Sequence, residues 1–184
     1  MSTYGPVAAL ALSTSAAVIL ATGCDLRSDR MRPSVGPPAT GLGAHVVRTV
    51  EVSSALSMPS LRVVTPEMLR DVLQRALTDA GAYGAGGRYV LHTKIVRLEG
   101  GGSGIGFNRY ALVAIDNRLV DDRDPAWNWH DEASASPGML PIPGQTFAGM
   151  DAQREAFEAA VSNVAGQTAR AVRDTLERRS KESP

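Results

Sequence analysis

The sequence predicts an α+β domain: an antiparallel sheet of about four strands with two helices packed on one face, in the order β-α-β-β-β-α. Three observations carry that expectation. Leu69, Val72, Leu73, Ala76, Leu77 and Ala80 recur at helical spacing. Three strand-like runs follow between residues 89 and 136, joined by short polar or glycine-rich turns. A second helical stripe, Phe157, Ala160, Val161, Val164, Thr168, Val172 and Leu176, closes the chain.

Each element has its own signal. Residues 45–53 (HVVRTVEVS) are rich in β-branched side chains and short enough for a strand. In the first helix Thr65 is placed to cap the N-terminus. Pro66 suits the first helical position, where no amide donor is needed, and Gly81 supplies the left-handed stop. Residues 89–98 (YVLHTKIVRL) give the second strand, with a flexible turn at Gly100 to Gly104. Residues 107–120 alternate Tyr110, Leu112 and Ala114 against Ala111, Val113 and Ile115. After a polar turn at residues 121–125, residues 126–136 return as a strand with Trp127 and Trp129 on one face. Parallel neighbours need crossovers of a dozen or more residues, so these short connections predict an antiparallel meander. A Pro/Gly-containing loop at residues 137–144 leads into the last helix, over residues 151–178, and residues 179–184 are expected to be a disordered tail.

The N-terminal region is organised differently. Val7 to Ala21 is an uncharged apolar run ending in Leu20-Ala21-Thr22-Gly23-Cys24, and Cys24 is the single cysteine of the chain. As a helix the run would cover about 22 Å, short of the roughly 30 Å of a bilayer core but suited to the apolar part of a signal peptide. The segment resembles the lipobox of bacterial lipoproteins, although residues 1–6 carry no Lys or Arg and Ala21 stands where Leu is commoner. The resemblance implies cleavage between Gly23 and Cys24, removal of residues 1–23, and acyl chains on Cys24 that hold the protein to a membrane. Residues 25–44 (DLRSDRMRPSVGPPATGLGA) mix Pro, Gly, Ser and Arg, so residues 24–44 read as lipidated cysteine and flexible tether. Arg27, Arg30 and Arg32, offset by two Asp, read there as charges of a solvated linker rather than headgroup ligands. The folded domain is then expected over residues 45–178.

Composition sets limits on function. With 19 basic and 19 acidic residues the chain has no basic footprint for nucleic acid. The usual zinc-ligand spacings do not occur around His45, His92 and His130, and no cofactor is implied. The run GGGSGIG contains neither G-x-G-x-x-G nor a phosphate-loop Lys, and Ser103 lacks the flanking pattern of a nucleophile elbow. His130 and Glu132 share a strand face and could suggest acid/base chemistry, against the plainer reading of a solvated strand end. Trp127 and Trp129 are candidate partner-binding residues, because Trp is enriched in binding hot spots, or else pack beneath the helices.

YVLHTKIVRL, RYALVAIDNRLVDD, the Trp-containing strand and FAGMDAQREAFEAAVSNVAGQTARAV together resemble small proteobacterial envelope lipoproteins, and distantly the LPS-assembly lipoprotein LptE. That resemblance implies a lipid anchor, a tether, and a small sheet backed by two helices. It points to a non-enzymatic accessory or adaptor of an envelope assembly or transport machine, facing the periplasm, with an envelope protein as partner. A lipid or small-ligand carrier and an envelope hydrolase using His130 are the competing readings. Asp25 resembles the inner-membrane retention signal of enteric bacteria, but most envelope lipoproteins are exported, and the outer membrane is expected.

Overall fold

The structure, a computed structural model, describes residues 26–56, 64–101, 109–136, 138–139 and 149–182. Gly23 and Cys24, the signal segment, residues 102–108 and residues 140–148 lie outside the described residues. Within them the expected order is observed: β1 (Val47–Ser54), α1 (Pro66–Asp79), β2 (Tyr89–Gly101), β3 (Arg109–Asp121), β4 (Asp124–Ala135) and α2 (Gly149–Glu182), with a two-residue strand β5 (Gly138–Met139) before α2.

The sheet runs β1-β2-β3-β4, and β5 adds to β3 beyond the end of β4. The meander is antiparallel as expected, with Tyr89 opposite Asp121 and Leu119 opposite Trp129. One pair differs from the all-antiparallel expectation. β1 runs parallel to β2, with Val50 beside Leu91 and Val52 beside Thr93, so the sheet is mixed. The connection between them contains α1, which carries the chain back to the end of the sheet where β1 began.

The punctuation of α1 works as its residues dictate. The Thr65 hydroxyl accepts from the Met68 amide at 3.2 Å, Pro66 opens the helix, and Gly81 adopts φ +69°. A side chain at Gly81 would also meet the Ala39 carbonyl, so both conformation and space select glycine. Leu69, Val72, Leu73, Ala76 and Leu77 are all buried, and α1 packs against β1 and α2. The stripe of α2 is buried as anticipated, from Phe157 to Leu176. One buried polar chain ties α2 to the sheet. Thr93 donates to Asn117 Oδ1 (2.8 Å), and Asn117 Nδ2 donates to Thr168 Oγ1 (3.0 Å).

Two expectations are corrected. Residues 26–44 are not a tether but a strap packed on the helices. Leu26, Met31, Val35 and Leu42 are buried, and residues 28–30 form a 3-10 turn. An irregular segment cannot satisfy its own carbonyls. Here arginines do so: Arg75 donates to Ser28, Arg170 to Ser34, and Arg173 to Val35 and Pro37 at 3.0 and 2.9 Å. Composition predicted disorder because the apolar residues are sparse, but each finds a site on the helix layer. The second correction is at the C-terminus, where α2 continues to Glu182 and Arg179 is held by Asp124 at 2.8 Å.

Gly166 shows how tightly the strap is seated. A Cβ there would lie 2.8 Å from the Ser34 carbonyl oxygen. Gly166→Ala normally favours a helix interior by about 1 kcal/mol. Here the displaced strap should reverse the sign, giving a net loss of about 1–3 kcal/mol and faster proteolysis near Ser34. Thermal denaturation checks this, and a raised melting temperature would refute the packing. Separately, Thr168→Val strands the Asn117 amide and should cost about 1–3 kcal/mol, whereas Thr168→Ser keeps the acceptor and most of the stability in urea titrations.

Candidate functional site

Two regions gather the chemistry-bearing side chains. The first lies at the end of the sheet where β2 starts and β3 stops. Tyr89 is fully buried, and its ring meets Trp127 edge-on at 5.4 Å. Its hydroxyl is 3.3 Å from His45 Nδ1. Arg88 lies over the Tyr89 ring at 5.1 Å and pairs with the buried Asp121 at 2.6 Å. Arg179 reaches in from α2 over the Trp127 ring at 5.2 Å and pairs with Asp124. The Arg123 amide donates to the second oxygen of Asp121 at 3.0 Å. Register explains the gathering: Tyr89 faces Asp121 across β2 and β3, and Asp124 opens the returning strand opposite Asp121.

Both titratable members are held in their neutral forms. Burial pushes the Tyr89 phenol up, outweighing the nearby guanidinium of Arg88. Burial also lowers His45, and the positive charge of Arg88 adds to that effect. Charges in the cluster are matched, Arg88 with Asp121 and Arg179 with Asp124. A matched, half-buried set locks the end of the sheet and does not present a free charge to a substrate.

The second region is the face of the sheet away from the helices. Across it Glu51, His92, Arg118 and His130 lie in one register row, with Lys94, Asp116 and Glu132 in the next. His92 Nδ1 is 3.0 Å from Glu51 Oε2, and His130 Nε2 is 2.5 Å from Asp116 Oδ1. All four side chains are exposed or partly so. His130 and Glu132 share this face as the sequence indicates, but the carboxylate that engages His130 is Asp116 on β3. Cross-strand register, which the sequence does not display, determines that choice. Where β2 bulges between Ile95 and Arg97, an open hollow of about 270 Å³ forms beside Val96, Arg97, Leu112, Ala114, Glu132 and Ser134. His130 does not line it. Among the described residues no group of three or more His, Cys, Asp or Glu side chains converges as a metal site would.

Trp127 and Trp129 do share a face, and it is the helix-facing one. Both are half-buried and pack against the margin of the core, Trp127 directly on Tyr89. Trp127 is held by Tyr89 on one side and Arg179 on the other. Sequence reasoning missed Arg88, Tyr89 and Arg179. The adjacent Arg-Tyr pair at the strand start was the available signal.

No protein-family model matches the chain, and no curated protein sequence matches it. Solved structures do. A Xanthomonas campestris protein of the DUF330 family is 18% identical, over 82% of this chain and 95% of its own, with a TM-score of 0.56. A minor lipoprotein from Acinetobacter baumannii is 10% identical, over 71% and 93%, with a TM-score of 0.45. PelC from Paraburkholderia phytofirmans, solved as a dodecamer, is 12% identical, over 76% and 94%, with a TM-score of 0.45. The first of these shows a shared fold.

The state of His45 gives a pH signature. Its pKa in the fold lies below the usual 6.5, so the folded state binds its proton less readily than the unfolded chain. The stability tied to neutral His45 is therefore complete above pH 6.5 and is lost as pH falls from there through the lowered value. Urea midpoints at successive pH values should drop more steeply below pH 6.5 for the unmodified protein than for His45→Asn. Parallel curves would show that His45 does not carry the effect.

Proposed function

We propose that this chain is a lipid-anchored lipoprotein of the bacterial cell envelope, acting as a non-catalytic accessory or adaptor in envelope assembly or transport. The observation that carries the reading is the lipobox-like segment ending at Cys24, two residues before the buried Leu26. Acyl chains on Cys24 supply the membrane attachment, and the outer membrane, facing the periplasm, is the favoured site. Among the described residues no helix is long and apolar enough to cross a membrane. The exposed face of the sheet, which carries Glu51, Arg118, Lys94, Asp116 and Glu132 beside His92 and His130, offers an envelope protein a broad polar surface. Matched cross-strand charges of this kind favour orientation and partner choice over tight binding by themselves.

The competing readings make different demands. A lipid carrier needs an apolar chamber between sheet and helices, and that space is occupied by Leu73, Leu77, Leu91, Ile115, Val164 and Leu176, all without solvent exposure. A hydrolase needs His130 in a concave site, and His130 stands exposed on the sheet face beside Asp116.

Intact-mass measurement of protein extracted from membranes tests the anchor. The expected mass is that of the chain from Cys24 carrying acyl groups, and Cys24→Ser should move the protein out of the membrane fraction. More than one buried chain, at about 0.8 kcal/mol per methylene, makes attachment durable. A free thiol, a retained Met1 or unchanged fractionation would defeat this. His92→Ala, His130→Ala and Glu132→Ala should each leave cellular function intact. A folded, membrane-bound His130→Ala protein that keeps its partners yet is inactive would favour the enzyme.

A further inference from the structure

We infer that the outer surface of the helix layer around the 3-10 turn Ser28–Arg30 rests on anionic lipid headgroups, directing the open face of the sheet away from the bilayer. The inference rests on the proposed acylation of Cys24 and extends it from attachment to orientation.

Reach comes first. Cys24 and Leu26 are two residues apart, so their Cα atoms are separated by at most about 7 Å. Leu26 is buried, and the Arg27 amide donates to Glu158 of α2 at 3.4 Å. A domain joined to its anchor this way has no tether with which to stand off from the membrane. The start of the strap must lie at headgroup level.

Side comes next. Thr168 of α2 bonds Asn117 and so faces the sheet. Gly166, two positions earlier, lies about 200° around a helix of 3.6 residues per turn and touches Ser34 of the strap. The strap therefore crosses α2 on the side opposite the sheet. Arg75 on α1 bonds Ser28, which places the first turn of the strap on the same helix layer. Membrane at Leu26 then means membrane on the helix side.

Charge agrees with geometry. Arg27, Arg30 and Arg32 are exposed on the strap together with Asp29, and Asp25 precedes them in the sequence. Arg75 and Arg154 lie beside them, with Asp71 and Glu158 as neighbouring acids. A basic residue near an anionic bilayer surface contributes about 1 kcal/mol. Held on a packed strap, these arginines present that charge at a fixed place rather than along a solvated linker.

The test uses the mature, acylated protein in vesicles of phosphatidylethanolamine and phosphatidylglycerol. With Cys24 acylated, a newly introduced cysteine is the sole thiol available for a fluorescent label. Asp29→Cys marks the strap and keeps its arginines; Ser134→Cys marks the open face of β4. Headgroup-nitroxide lipid should quench the label at 29 severalfold more than the label at 134. Inserting a long Gly/Ser linker between Asp25 and Leu26 should abolish the difference on neutral phosphatidylcholine vesicles. Equal or reversed quenching in protein whose mass shows acylation would overturn the orientation while leaving the anchor intact. Persistence of the difference with the linker on neutral vesicles would overturn the reach argument. A mass without acyl groups would instead remove the anchor reading, and this inference with it.

Discussion

Helix α2 is buried on two opposite sides, and the rest of the structure depends on that. Toward the sheet it presents Val161, Val164, Thr168, Val172 and Leu176, all with no measurable exposure. Away from the sheet it presents Gly166, whose missing side chain admits the Ser34 backbone. A helix in such a position must be thin. Ala156, Ala160, Ala165 and Ala169 keep it so and favour the helix intrinsically, while Gly166 gives up about 1 kcal/mol of that propensity for contact. The buried Thr93–Asn117–Thr168 chain fixes the register of α2 on the sheet, since sliding the helix would leave the Asn117 amide unsatisfied. The arginines of the helix layer follow from the same constraint. Arg170 and Arg173 lie on the strap side and supply donors that an irregular backbone lacks.

What the sequence makes legible follows from how local each signal is. Helix α1 announces its start, stop and buried face through Thr65, Pro66, Gly81 and a regular apolar stripe, each readable within a few residues. The meander is equally legible, because short turns permit only antiparallel neighbours. The direction of β1 is not, because it depends on where a helix-containing connection returns the chain. The strap is harder still. Its apolar residues, Leu26, Met31, Val35 and Leu42, are too sparse to signal order by composition, and what orders the strap is a complementary groove on α1 and α2, with contacts 47 to 138 residues apart in the chain. Gly166, a glycine inside an alanine-rich helix, was the sequence trace of that groove. The C-terminal turn is similar: Arg179 reads as one charge in a frayed end until Trp127 and Asp124 are placed beneath it.

For the candidate sites the same division applies. That Trp127 and Trp129 share a face, and that His130 and Glu132 share the other, follows from the period of a strand. Which face meets the helices is indicated by Ala133 and Ala135, buried in phase with the tryptophans. The partner of His130 depends on the pairing of β3 with β4, and no local pattern supplies it.

The distribution of charge separates the two regions physically. In this cluster Asp121 is fully enclosed and Arg88 is 15% exposed, and the two are matched to each other. Removing either partner would leave an unpaired charge out of water at a cost of several kcal/mol, whereas a well-packed apolar replacement of both can be close to neutral. Such a pair specifies the geometry at the end of the sheet, holding Tyr89 and Trp127 in register, without being free to act on another molecule. On the open face the contacts His92–Glu51 and His130–Asp116 are exposed to solvent, so exchanging their partners for other polar groups carries little desolvation cost. Exchanging partners on the open sheet face therefore costs less than exchanging them in the cluster around Asp121, whose members are already paired out of water.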